Sequence, residues 1–203
     1  MDTIDLKKDL AAFLKPSAKQ PEIVDVPALN YLMIDGRGDP NTAQEYKDAM
    51  EALYSTAYAL KFHLKKTQAI DYPVMASEGL WWAEDMRLFS VEAKEDWFWT
   101  MMIVQPNVVT DAVFEQVRAD VRKKKNLPAL DRLRLDCFQE GLSAQIMHIG
   151  PYAAEAPTIQ HLHRFIEENG YQLTGKHHEI YLSDPRRTAP DKMKTIIRQP
   201  IRR

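Results

Sequence analysis

The same pattern of residues occurs twice along this chain, and this repetition restricts the fold more than any other feature. Thr100-Met101-Met102 followed by Gln105-Pro106 recurs as Thr195-Ile196-Ile197 followed by Gln199-Pro200. In each half extended stretches, a helical pattern, a further extended stretch and a turn precede this pattern in the same order. Self-similarity of this kind is typical of a duplicated supersecondary unit. We therefore expect an α+β fold of two strand–helix–strand–strand units with pseudo-two-fold symmetry, whose antiparallel sheets surround a central ligand cleft.

The periodicity and the turn residues predict the boundaries of these units. Gly36 and Gly38 are predicted to turn the chain. A T-x-x-E capping box at Thr42 and Glu45 predicts the start of the longest helix, whose apolar stripe includes Tyr46. Thr110 is predicted to cap the helix that follows the first repeat.

Short strands are expected at 72–76 and, separated by a turn at Glu140-Gly141, at 133–139 and 142–149. One domain over 1–203 is expected, divided into an N-terminal helical segment 1–20, a first repeat 21–108, a connecting helix 109–130 and a second repeat 131–203.

The stretch His177–Ser183 predicts a strand with two different faces. Ile180 and Leu182 alternate with His177, Glu179 and Tyr181, so one face is apolar and the other carries an acid beside an imidazole and a phenol. Glutamate is unusual in the middle of a strand, because strands disfavour it and a buried charge is costly unless it is paired. An edge strand whose polar face meets water would also explain the pattern.

Alignment of the two halves distinguishes Glu179 from a structural residue. Its counterpart in the first half is Pro73, and the counterpart of Tyr181 is Met75. A purely structural position is expected to carry similar chemistry in both halves. The difference fits a largely apolar ligand site with its polar group on one side.

The four tryptophans suggest the aromatic part of such a site. They lie in the first half, within a short span, and some of them are expected to pack in the core. An indole face binds a cation with about 0.5–2 kcal/mol, and a carboxylate adds charge pairing. The predicted ligand-binding residues are Glu179, Tyr181, Trp81, Trp82, Trp97, Trp99, His177, Tyr152 and Met75.

An apolar wall beside Glu179 would raise the pKa of its carboxyl group until a cation arrives. A raised pKa would also suit general acid–base chemistry. Glu179 is therefore the candidate for such chemistry if the protein is an enzyme.

Composition excludes several classes of function. A formal net charge of −2 gives no global attraction to nucleic acid or to anionic membranes. The first ten residues include several charged side chains and do not resemble a secretory signal, and the apolar runs fall short of the roughly 20 residues of a membrane helix. One cysteine, Cys137, fits a reducing compartment and is expected to be a small core residue. We expect a cytoplasmic protein, monomeric or homodimeric, that binds neither nucleic acid nor membrane.

The histidines do not indicate a metal or cofactor. His161 and His163 are two residues apart in a helical pattern and point to different faces, and His177 and His178 alternate in a strand. Neither pair resembles a metal-binding cluster or a haem ligand. We expect no metal and no cofactor.

Three segments together resemble a known family. They are HHEIYLSDPRRTAPDKMKTIIRQP at 177–200, EGLWW at 78–82 and LMIDGRGDPN at 32–41. In these segments the chain resembles the GyrI-like small-molecule-binding proteins, in particular their stand-alone branch. The resemblance implies a duplicated fold with a ligand cleft between the halves, in which Glu179 matches the central glutamate that engages cationic aromatic drugs.

The resemblance leaves three functions open. The first is binding of aromatic, often cationic or electrophilic, small molecules for sequestration or sensing. The second is hydrolysis of the cyclopropane ring of DNA-alkylating cyclopropanoid natural products. For this reaction the resemblance implies Glu179 and Tyr181 as the catalytic residues, with Glu179 as base or orienter, Tyr181 as proton donor and Trp81 shaping the pocket. The third is a protein-interaction module such as a gyrase inhibitor.

Overall fold

A computed structural model describes residues 1–84 and 94–203 of the chain. Its helices are α1 Leu6–Asp9, α2 Ala11–Leu14, α3 Gln44–Gln68, α4 Asp111–Lys124 and α5 Ala156–Glu168. Its strands are β1 Asp2–Thr3, β2 Glu22–Arg37, β3 Ile70–Asp71, β4 Glu78–Trp82, β5 Phe98–Gln105, β6 Arg134–Ile149, β7 Gln172–Leu173, β8 His177–Tyr181 and β9 Lys194–Arg202.

The order of the major elements repeats along the chain. The series β2, α3, β4, β5 is followed by β6, α5, β8, β9, and the long strands pair antiparallel. The predicted α+β class is confirmed. Of the described helices, none has the length and apolar character needed to cross a bilayer.

The chain forms two compact units. Unit 1 comprises Met1–Lys8, Leu29–Met75 and Trp81–Phe138, and unit 2 comprises Asp9–Ala28, Ala76–Leu80 and Gln139–Arg203.

In unit 1, helix α3 packs against β5, which pairs with β2. The two strands are antiparallel, with Ile34 opposite Met101 and Leu32 opposite Ile103, and all four side chains are fully buried. Helix α3 buries one apolar stripe, which includes Leu53, Leu60 and Leu64. An amphipathic helix buries such a stripe because its side chains recur every three or four residues. Thr110 caps α4 as expected, since its hydroxyl accepts a hydrogen bond of 3.4 Å from the Val113 N–H.

Gly36 is a site of close approach. It lies opposite Trp99 in the β2–β5 register, and a Cβ atom at this position would overlap Cη2 and Cζ2 of that indole. The sequence suggested that Gly36 and Gly38 both turn the chain. Only Gly38 has a positive φ, of 100°, so Gly36 is instead required by the ring that lies over it.

In unit 2, strand β9 pairs antiparallel with both β8 and β6. Ile197 lies opposite Glu179 of β8 and Ile146 of β6, so these three side chains share one face of the sheet. Helix α5 packs on this face with Leu162 and Ile166. On the opposite face Ile180, Ile196 and Met147 pack with Leu14 of α2. Both faces of β9 are therefore covered within unit 2.

Several local expectations were wrong, and local contacts explain why. In the described chain, α3 begins at Gln44 without a side-chain cap, and Glu45 pairs with Arg132 instead of closing a capping box. Residues 72–77 are not a strand. Strand β6 runs without a break through Gly141, whose φ of 73° accommodates the bend in place of the predicted turn. The thiol of Cys137 is free and exposed rather than in the core.

We expect Gly36→Ala to destabilise the protein by about 1–3 kcal/mol, because the new methyl group overlaps the Trp99 indole. Urea denaturation measures this change. Trp99→Phe removes the ring atoms that would clash, so the double variant should lose less stability than the sum of the two single losses. Strictly additive losses would contradict this packing.

Candidate functional site

Strand β8 holds Glu179 in place by main-chain bonds on both sides. It pairs with β9 from His178 to Tyr181, and the Tyr181 N–H donates to the Ser77 carbonyl oxygen at 3.0 Å. The Glu179 side chain is only 15% exposed. The carboxyl group is therefore mostly withdrawn from water while its backbone is fixed.

Each carboxylate oxygen of Glu179 accepts a hydrogen bond from its own strand. His177 Nε2 donates to Oε1 at 2.9 Å, and the Tyr181 hydroxyl donates to Oε2 at 2.8 Å. Side chains two apart in a strand point to the same side, so the alternation alone brings these three groups together. The orientation of the carboxylate is thus set by five consecutive residues.

The pKa of Glu179 departs from the sequence-based expectation. Burial alone would raise the pKa, but the hydrogen bonds and charge of His177, the Tyr181 hydroxyl and the charge of His178 hold it below its ordinary value. The expected raised pKa was wrong, because the sequence indicated an apolar wall and not two donors aimed at the oxygens. Glu179 is an anion at neutral pH.

Two aromatic rings lie beside this acid. Tyr152 contacts Tyr181 edge to face, with ring centroids 5.6 Å apart and an interplanar angle of 79°. Tyr152 is exposed, and it follows Pro151 in the short turn that precedes α5. Unit 2 thus brings together the predicted residues Glu179, His177, Tyr181 and Tyr152.

The predicted aromatic residues of the first half form a cluster in unit 1. Trp81 and Trp97 meet edge to face with centroids 5.5 Å apart, and Tyr46 contacts both Trp81 and Trp99. Tyr46, on α3, was missed by the sequence analysis, which read it only as part of the apolar stripe of that helix.

The indoles differ in exposure. Trp99 is fully buried and Trp81 nearly so, whereas Trp82 is partly exposed and stacks on Phe98 at 5.9 Å. The ammonium of Lys94 lies 5.4 Å from the centre of the Trp97 ring, a cation–π contact. Met75, also in unit 1, is buried. Their assignment to the ligand stays a prediction.

A buried charge network lies on the other face of β8. The His178 ring is 1% exposed, with Nδ1 2.9 Å from Glu140 Oε1 and Nε2 3.0 Å from Glu78 Oε2. Arg198 Nη1 donates to Glu140 Oε2 at 3.0 Å, and its Nε donates to Gln145 Oε1 at 3.0 Å. We call His178, Glu78, Glu140 and Arg198 the charge network of unit 2.

The network shifts the pKa of two of its members in opposite directions. Burial would lower the pKa of His178, but the carboxylates of Glu140 and Glu78 raise it to about 9. Burial would raise the pKa of Glu140, but His178 and Arg198 lower it to about 2. Opposite charges at hydrogen-bonding distance thus outweigh the cost of desolvation.

The sequence analysis missed this network, although the sequence contains a signal for it. In the predicted strand His178 alternates with His177 and Glu179 and so shares a face with the apolar Ile180. A polar group on a core face requires buried partners. Its partners Glu78, Glu140 and Arg198 are distant in sequence, so only the fold identifies them. Within residues 1–84 and 94–203, no group of three or more His, Cys, Asp or Glu side chains is placed to hold a metal ion.

Solved structures with this fold have been determined from bacteria. An uncharacterized conserved protein from Listeria innocua is 40% identical, with a TM-score of 0.91 over 98% of this chain and 100% of that one. A hydrolase encoded by lin2189 from Listeria innocua is 38% identical, with a TM-score of 0.89 over 99% of this chain and 100% of that one. The EcmrR C-terminal domain, 12% identical with a TM-score of 0.56 over 91% of this chain and 98% of that one, shares the fold alone.

Residues 19–202 match the family model of the GyrI-like small molecule binding domain. The chain therefore belongs to the GyrI-like family, as the EIYLSDPR, EGLWW and GRG segments predicted. Among proteins with curated descriptions, none is a significant match to this chain.

We expect the free energy of unfolding to fall as the pH rises from 6.5 to about 9, since the raised pKa of His178 stabilises the fold fully below 6.5 and this stabilisation is lost through about 9. The loss is on the order of 3 kcal/mol. Urea denaturation at a series of pH values measures it.

The control for this slope is the double variant His178→Gln/Glu78→Gln, which lacks the titrating imidazole and one of its carboxylates. Its slope over the same pH range should be much smaller. An equal slope in both proteins would assign the effect to another group.

Proposed function

We propose that this protein binds aromatic, often cationic or electrophilic, small molecules at Glu179 and thereby sequesters or senses them. The observation that carries the proposal is the Glu179 carboxylate, largely buried yet held as an anion by His177 and Tyr181. Membership of a small-molecule-binding family supports it.

The physical basis of binding is a desolvated, oriented negative charge. A carboxylate at 15% exposure has already lost most of its water, so pairing with a ligand cation costs little further desolvation. Such a pair is also screened less by salt than a surface pair. The rings of Tyr181 and Tyr152 add flat apolar surface on the same unit.

The indoles of unit 1 enter the proposal through the sequence-based assignment of Trp81, Trp82, Trp97 and Trp99 to the ligand. The contact of Lys94 with the Trp97 ring is an example of the cation recognition that such rings provide. Trp82 is the least buried of the four, so Trp82→Ala tests the assignment with the least disturbance of the core.

Glu179→Gln should weaken the binding of rhodamine 6G, a flat aromatic cation, by at least about tenfold, because the amide keeps the shape and loses the charge. Fluorescence anisotropy measures the affinity. The stability should change by no more than about 1 kcal/mol, since the amide keeps one of the two hydrogen bonds and relieves a buried charge.

Glu168→Gln is the matched control. Glu168 is an exposed carboxylate of the same unit, at the end of α5, so its loss removes the same charge away from the site. The affinity of the Glu168→Gln variant for the dye should equal that of the wild type. Equal affinity in all three proteins would refute binding at Glu179.

The second candidate function is hydrolysis in the same site. It is favoured by the 38% identity to a Listeria innocua protein described as a hydrolase and by the hydrogen bond from Tyr181 to Glu179. The substrate we propose is a cyclopropanoid, whose strained ring is activated by a conjugated carbonyl group.

The residues of β8 account for each proton in this reaction. Glu179 takes one proton from water while the water oxygen bonds to a cyclopropane carbon, and the strained C–C bond breaks. The released electron pair passes into the conjugated carbonyl, whose oxygen takes the proton of the Tyr181 phenol. Glu179 then returns its proton to the tyrosinate along their 2.8 Å hydrogen bond, so that one water has been added and the enzyme is restored.

Tyr181→Phe should lower this turnover by on the order of 10²-fold while substrate binding is retained, because only the proton donor is lost. Mass spectrometry of the ring-opened hydrate measures turnover, and substrate protection against thermal unfolding measures binding. A wild-type protein that yields no more than one equivalent of hydrate is a binder and not a hydrolase.

A further inference from the structure

His178, the residue before Glu179, is a buried cation that the proposed function does not use. His178 precedes Glu179 in β8, and its side chain lies on the opposite face, beside Ile180. Its ring contacts Glu140 through Nδ1 at 2.9 Å and Glu78 through Nε2 at 3.0 Å. An ionised carboxylate only accepts hydrogen bonds, so both nitrogens must donate. Only the imidazolium form does so.

The composition of the charge network requires the same protonation state. Two carboxylates, Glu78 and Glu140, lie with His178 and Arg198 at side-chain exposures of 1–6%. With His178 charged, the two negative charges are balanced by two positive charges. With His178 neutral, a buried carboxylate would face a nitrogen lone pair and lack a counter-charge, which is strongly unfavourable.

The other three members of the charge network come from three different strands. Glu78 belongs to β4, Glu140 to β6, and Arg198 of β9 lies directly opposite His178 in the β8–β9 register. Arg198 also donates to the Phe13 carbonyl oxygen at 2.8 Å, which links α2 to the network. The ring therefore fixes the lateral position of β8 at the residue before Glu179.

We propose that His178 is a positioning residue for Glu179: together with His177 and Tyr181, its buried imidazolium keeps the neighbouring carboxylate ionised, and it holds β8 at a fixed position in its sheet. This inference rests on the proposed function of Glu179. The positive charge of His178 on one face of β8 thereby stabilises the negative charge of Glu179 on the other face.

The other groups around Glu179 do not replace this charge. His177 and Tyr181 donate to it from its own strand, and the apolar Ile197 lies opposite it on β9. Helix α5 contributes His163, whose pKa is lowered by burial and by the charge of His177. Since His178 is shielded from water on its own face, its effect on Glu179 should persist at high salt.

The decisive measurement is the titration of the Glu179 carboxyl carbon by NMR. His178→Gln/Glu78→Gln removes one cation and one anion and leaves Glu140 balanced by Arg198. In this double variant the Glu179 midpoint should rise by on the order of one pH unit, in low and high salt alike. Glu78→Gln alone, which keeps the imidazolium, should leave the midpoint at or below that of the wild type.

His148→Gln is the matched control. His148 is also buried in unit 2, but its ring contacts neutral oxygens, the Thr158 hydroxyl at 2.9 Å and the Pro151 carbonyl at 3.3 Å. It should leave the Glu179 midpoint unchanged. An unchanged midpoint in the double variant, or an equal rise in the double variant and in Glu78→Gln alone, overturns the proposal.

The wild-type protein provides a test that does not depend on the folding of any variant. A long-range proton–nitrogen spectrum at pH 7 should show both ring nitrogens of His178 protonated. A neutral His178 ring overturns the proposal.

The dye separates this inference from the proposed function. If rhodamine 6G binds at Glu179, its affinity should fall on the acid side at a higher pH in the double variant than in the wild type. If the wild type does not bind the dye and Glu179→Gln changes nothing, the proposed function fails. The carboxyl titration then still decides the role of His178.

Discussion

The alternation of side chains along β8 is the constraint on which the site depends. Because successive residues point to opposite faces, His178 and Glu179 are neighbours in the chain with separate surroundings. One face brings the imidazole to two buried carboxylates, and the other brings the acid to His177 and Tyr181. A shift of register by one residue would exchange the two faces and leave charges unpaired on both. Electrostatics and main-chain pairing therefore specify the same register.

Sequence reasoning succeeded where the determinants are local. The α+β class and the element order follow from periodicity and turn residues, and Thr110 does cap α4. The grouping of His177, Glu179 and Tyr181 follows from the period of a strand. The family was identified from three short segments for the same reason, since each carries its pattern within 24 residues or fewer.

Sequence reasoning failed where a distant partner decides. The lowered pKa of Glu179 depends on the hydrogen bonds that His177 and Tyr181 donate to its oxygens. The period of a strand predicts that these side chains share a face with Glu179, but it does not predict the hydrogen bonds. Gly36 was read as a turn residue because the ring that excludes a side chain there, Trp99, belongs to another strand. Glu78 and Glu140 give no local sign that they converge on one imidazole, nor Arg198 that it pairs with Glu140. The assignment of the indoles to the ligand and the division into repeats at 108 and 131 stay predictions.

Glu179 and its two hydrogen-bond donors lie close together in the sequence, and this affects how the ligand preference of such a protein can evolve. Since the acid and both of its donors lie within five consecutive residues, mutations in other segments can reshape the surroundings of a ligand without re-aiming the charge. The ligand preference can then change during evolution while the Glu179 carboxylate and its two hydrogen bonds stay the same. Such a protein acquires new ligands through substitutions in the residues that surround Glu179.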